Sequence, residues 1–355
     1  QKQRTSESGA NTPMSNANSH RPTIPGLNNL LDLITAGTDR ITLSGLNGSA
    51  LAFVAARLSH SLSRQILLVT PDQATADTVT KEATFYHASD VCSFPAWDVS
   101  PFEAASPHTD IIGARLETLQ CLLEATPCTV VTPMAALLQR VIPRAELAAA
   151  SSRIQPGDEP DRELLLERLV RMGYSNLPLV EERGSFAVRG GILDIFPPSL
   201  SHPVRIEFFG DTVETVRSFD PVTQRSLEPL SSLNLLPSRE LLLTPGTLQD
   251  FVLRLKDRAD QLDIPADRRR QLIAELQSSS YPAGIDFLQP LFHPELEPLT
   301  DYLTDPLIIL VEPDQLMHNA RLLHAELQQA ATRAREEAML HPEPDTLYLT
   351  PEQVE

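Results

Sequence analysis

A chain of 355 residues with 41% apolar and 21% charged residues has the composition of a soluble globular protein, long enough for two or three cores. The net charge of -18 excludes a phosphate-binding surface spread over the whole molecule, while leaving room for a local basic patch or a basic partner. The three cysteines, Cys92, Cys121 and Cys128, form no C-x-x-C pair and the nine histidines form no H-E-x-x-H, so the spacing predicts free thiols in a reducing compartment and no metal site.

Residues 1–22 are polar and rich in Ser and Asn, which predicts a disordered segment. There is no signal-peptide core and no apolar stretch near the roughly 20 residues that span a bilayer, so a cytoplasmic protein without membrane contact is expected. RITLSGL (40–46) reads as a strand ending in a Gly turn, and SALAFVAARLSHSL (49–62) as a helix with Leu51, Val54, Ala55 and Leu58 on one side. The intervening turn, SGLNGSALA (44–52), lies where a phosphate-binding loop would sit between strand and helix. Aligned on Gly45, Gly48 and Ser49, however, Leu51 and Ala52 occupy the places of the lysine and hydroxyl that such a loop needs. Nucleotide hydrolysis depends on that lysine and metal ligand, so no ATP binding and no catalytic residue are expected here.

QILLVTP (65–71) and CTVVTP (128–133) are short apolar runs ended by proline, typical of buried parallel strands. VCSF (91–94) is a third strand, and helices are expected over 73–85 and 110–124. This β-α-β-α order predicts a parallel sheet with helices on its faces. The pattern changes near Ala150. DRELLLERLVRMG (161–173) is a helix that begins with acids and ends at glycine. From Phe186 to Leu236 the period becomes two, which predicts an antiparallel, β-rich insert.

Within the insert, VRIEFF (204–209) places Val204, Ile206 and Phe208 on one face and Arg205, Glu207 and Phe209 on the other. An aromatic beside an arginine on a polar face has the makings of an interface hot spot. The alternation by itself favours a structural role instead, with Phe209 folded over the Gly210-Asp211 turn or packed under a neighbouring loop. On the preceding strand, FAVR puts Arg189 opposite the face of Phe186 and Val188, so pairing would turn both arginines outward together. After Pro237 helical periodicity returns over 251–262 and 314–339, with DPLIILVEPD (305–314) between them as a further buried strand. The simplest architecture is an α/β domain interrupted by a small β-rich domain, with the segment after the insert completing the sheet.

Four stretches then carry a resemblance. SGLNGSA (44–50), WDVSPFEAASPHTDIIGARLETL (97–119), RGGILDIFPP through FDPVTQRS (189–226) and AGIDFLQPLF (283–292) resemble, in this order, the N-terminal module of the bacterial transcription-repair coupling factors. That module is itself similar to the damage-recognition subunit UvrB. The resemblance implies a RecA/P-loop-like parallel sheet (23–147 and 238–355) split by a small β-rich α+β insert (148–237) that docks onto UvrA. It maps the UvrA-contacting surface onto Arg189, Arg205 and Phe209. It also implies that the chain continues past Glu355 into motor domains. ATP, magnesium, RNA polymerase and DNA would be engaged there, and this segment would need no cofactor. UvrB clamps DNA with an aromatic hairpin, whereas the stretch from Asp98 to Arg115 offers only Phe102, so base stacking is not expected. A nucleotide-dependent DNA-remodelling fragment and an autoinhibitory domain of the parent are the competing readings.

Overall fold

The computed structural model describes residues 25–86, 90–242, 245–277 and 281–354; the disordered segment expected over 1–22 lies outside them. The chain divides into two compact units, Gln1–Gly45 and Leu46–Glu355. The first carries helix α1 (Pro25–Thr35). The strand expected over 40–46 is not formed: these residues are irregular, and Leu43 and Leu46 are exposed. With so little apolar surface buried, nothing offsets the entropy of holding an extended strand.

The second unit opens with α2 (Ala50–Leu62), β1 (Ile66–Thr70), α3 (Gln73–Tyr86), β2 (Val91–Ser93), α4 (Thr109–Leu123), β3 (Thr129–Pro133) and the short helices α5 (Met134–Leu138) and α6 (Arg144–Ala150). The insert follows with β4 (Ser152–Ile154), α7 (Arg162–Arg171), β5 (Ser175–Asn176), β6 (Ser185–Arg189), β7 (Ile192–Phe196), β8 (Val204–Phe209), β9 (Thr212–Phe219), β10 (Ser226–Pro229) and β11 (Leu233–Leu235). The chain ends with α8 (Pro245–Gln261), α9 (Ala266–Gln277), α10 (Gln289–Phe292), β12 (Leu307–Leu310), α11 (Pro313–Glu336) and α12 (Pro344–Leu347).

The architecture is mixed α/β, with a parallel sheet and a separate β-rich sheet. The parallel sheet has the order β12-β1-β3-β2. β1 and β3 are buried along their whole length, as their apolar, β-branched sequences require of central parallel strands. After the insert the chain returns to this sheet, and β12 pairs in parallel with β1. β12 is not the buried strand its sequence suggests. It lies at the edge, and Ile308 and Leu310 are about half exposed. Edge and centre differ in what lies alongside, and an apolar run does not encode that.

The second sheet has the order β10-β9-β8-β7-β6-β5, antiparallel except for the β5–β6 pair. One face packs on α7 through Leu165, Leu169, Phe186, Leu193, Ile195 and Ile206. Asp161 caps α7 by accepting from the Leu164 amide at 3.1 Å, and Arg168 and Arg171 close its last turn, where the helix dipole favours cations. The opposite face holds a smaller cluster of Val180, Ala187, Phe196 and Phe219. The two sheets meet where α4 passes the end of β7. A Cβ added at Gly113 would stand 2.4 Å from the Pro198 carbonyl oxygen, so only glycine allows this approach. An Arg183–Asp110 ion pair lies beside it.

Candidate functional site

Two tight turns set the site. Gly190 and Gly210 take φ of +57° and +64° in the β6–β7 and β8–β9 hairpins. A positive φ at the first central residue suits a II′ turn, which preserves the strand twist. Because β7 lies between β6 and β8 in antiparallel register, both turns fall at the same end of the sheet. Phe209 closes β8 at that end, paired with Thr212, and its side chain is 79% exposed. At that exposure the ring faces solvent and is not packed under a neighbouring loop.

The register also aligns the charged side chains. Ala187, Asp194, Arg205 and Arg217 lie directly opposite one another across β6 to β9, and Arg189, Ile192, Glu207 and Thr215 form the next row. Opposed residues share a face, and diagonal neighbours remain within reach of long side chains. Asp194 therefore stands opposite Arg205 and diagonal to Arg189, and it binds both. Arg205 Nε and Nη2 donate to its two oxygens at 2.7 and 2.9 Å, and Arg189 Nη2 donates to Oδ2 at 2.6 Å. The Asp194 side chain is 0% exposed, that of Arg205 14% and that of Arg189 46%. Arg205 also lies over the Phe219 ring, 4.6 Å from its centroid. Hydrogen bonding to Asp194 raises the Arg205 pKa above its ordinary value despite partial burial.

This corrects the expectation of two outward arginines. They share a face but converge on a buried carboxylate; Arg205 is held mostly inward and Arg189 is the more exposed of the two. Asp194 was missed in the sequence, although a charged residue at the centre of ILDIF is a visible anomaly in an apolar strand. Farther along, Glu207 accepts from Thr215 Oγ1 at 2.6 Å and lies 3.8 Å from Arg217. Three arginines thus meet two carboxylates within this cluster.

The phosphate-loop positions behave differently. Gly45, in the first unit, and Gly48, in the second, both adopt positive φ. Ser49 leads into α2 without a side-chain cap, and its hydroxyl lies 3.0 Å from that of Tyr86. Leu51 packs with Ala55, Leu68 and Val79, and Ala52 is fully buried. Phe102 is also buried, in edge contact with Phe287 at 5.8 Å, so the aromatic between Asp98 and Arg115 belongs to the core.

Residues 153–241, which contain this surface, match the UvrB interaction domain family. Over 88% of its length the chain is 35% identical to the transcription-repair-coupling factor of Myxococcus xanthus, of which it covers 27%. The coupling factors of Haemophilus influenzae (29% identity, 91% of this chain, 28% of the relative) and Escherichia coli (31%, 76% and 23%) are similar in the same way. The chain corresponds to the N-terminal UvrB-like module of a transcription-repair coupling factor. The module spans about a quarter of the length of these relatives. Among its described residues, no helix is long and apolar enough to cross a membrane.

Proposed function

We propose that this module recruits UvrA to stalled transcription through the β6–β9 end of the insert, and that it makes and breaks no bond itself. The observation that carries the reading is the exposed Phe209 at the same end of the sheet as the half-exposed Arg189, a cation in a chain of net charge -18. A ring held on a rigid strand enters a partner's pocket at little entropic cost. Arg189 keeps donors free for a carboxylate of UvrA. Arg205 positions both by clamping Asp194. The insert (148–237) would be the docking domain, carried by a RecA-like sheet formed from 23–147 and 238–355.

Phe209→Ala is expected to weaken UvrA binding at least about tenfold in titration calorimetry, the loss typical of a central anchor, with an unchanged melting temperature. Arg189→Ala should weaken it less. Unchanged affinity in both variants would remove this surface from the interface.

The same reading assigns no nucleotide chemistry to this segment. The side chain at the lysine position is apolar and turned into a hydrophobic cluster, and the hydroxyl position is a buried alanine. A fluorescent ATP analogue is therefore expected to show no saturable, magnesium-dependent binding to the isolated module. ATP, magnesium, DNA and RNA polymerase would be engaged by the remainder of the parent protein. Saturable micromolar binding would overturn this assignment.

A further inference from the structure

All three cysteines of the chain meet at one point. Cys92 is the middle residue of β2, Cys121 lies in the last turn of α4, and Cys128 immediately precedes β3. Their Sγ atoms all lie within 4.8 Å of one another. The fold brings this about in two steps. Parallel pairing sets Cys92 opposite Val130, close to the start of β3. Helix α4 then lies against β2 and delivers Cys121 just before the short link to Cys128. The linear spacing, which matches no zinc motif, gave no sign of this convergence.

The surroundings suit a cation. Thr126 Oγ1 lies 3.9 Å from Cys121 Sγ. Glu117 precedes Cys121 by one helical turn, and the Asp90 carbonyl accepts from the Thr129 amide next to Cys128. Cys128 is buried, while Cys92 and Cys121 are partly open, which leaves a route of entry.

We propose that Cys92, Cys121 and Cys128 form a three-sulfur site for zinc(II) that fastens the end of α4 to the edge of the parallel sheet. Thiolate sulfur selects soft ions. With Zn–S bonds of about 2.3 Å, tetrahedral zinc holds its sulfurs about 3.8 Å apart, a separation that small side-chain rotations of these three residues can meet. Three thiolates carry three negative charges, so a divalent ion offsets them better than a monovalent one. Water would fill the fourth position on the open side of Cys121, and the thiol protons would pass to solvent on binding.

The test uses the whole chain kept reduced. Competition with a chromophoric chelator should show one zinc ion per chain, and cobalt(II) should give the charge-transfer absorption of thiolate ligands. Cys121→Ser, at a partly open position, should lower zinc affinity at least about tenfold and weaken the cobalt band while circular dichroism stays native. Absence of both zinc binding and the cobalt band in the reduced chain would overturn the proposal. So would equal zinc affinity in Cys121→Ser, or a disulfide among the three whose reduction yields no zinc-binding form.

Discussion

Replacing Asp194 with alanine is expected to destabilise the insert by about 3 kcal/mol, the range for removing one partner of a buried ion pair. The cost comes from what remains. Arg205 would keep its cation over Phe219 with only the Gln224 carbonyl, 3.4 Å away, as an acceptor. Arg189, with 46% of its side chain exposed, can swing into water and adds little. The three positions should therefore rank unequally: Asp194→Ala most costly, Arg205→Ala next, and Arg189→Ala below about 1 kcal/mol. Asp194→Asn should be nearly as damaging as Asp194→Ala, because an amide N–H₂ would face a guanidinium. Hydrogen exchange read by mass spectrometry over β6 to β9 reports this locally, whereas the single tryptophan, Trp97, lies outside the insert. UvrA binding should fall in Asp194→Ala although Asp194 touches no solvent, because the strand end that presents Phe209 and Arg189 loosens with it. An exchange pattern in Asp194→Ala equal to that of the parent sequence would show that the carboxylate holds nothing.

What the sequence made legible depended on range. Elements that follow from local pattern were readable: α7 from its acidic start and glycine end, α11 from helical periodicity, β1 and β3 from proline-bounded apolar runs, and the face of Phe209 from alternation. Features set by the neighbour across a sheet were not. ILLV in β1 and LIIL in β12 have almost the same composition, yet one is central and the other an edge. Alternation turned Arg205 to the correct face without showing that a carboxylate stood opposite it, because that depends on β7–β8 register. The cysteines show the same limit more sharply, since their meeting requires α4, β2 and β3 to be assembled. RITLSGL failed in the opposite direction: a strand-like pattern found no ladder among the described residues.

A second large effect is expected where the chain re-enters the α/β region after the insert. Arg115 on α4 and Glu240, beyond β11, form an ion pair whose side chains are both 0% exposed. Arg115 Nε and Nη2 donate to the two carboxylate oxygens at 2.5 and 3.1 Å, Nη1 donates to the Pro95 carbonyl at 3.0 Å, and the guanidinium lies over Phe94. Trp97 Nε1 donates to the same carboxylate at 3.3 Å. Every charged group is thus partnered, which is the condition under which burial of such a pair is tolerable. Glu240→Ala removes the acceptor for two groups at once and strands a guanidinium in the core, so a loss of about 3–5 kcal/mol is expected in urea unfolding. Glu240→Gln, which keeps one carbonyl oxygen, should cost less. The joint replacement Arg115→Met with Glu240→Leu should recover much of the loss, because it removes both desolvation penalties together with the attraction. If instead the double variant is as unstable as the sum of the singles, the coupling between the two side chains is zero and the ion pair holds nothing by itself. A double variant that stays well below the parent sequence in stability, yet above that sum, would show attraction beyond the desolvation cost and make the pair a net clamp between α4 and the chain leaving the insert.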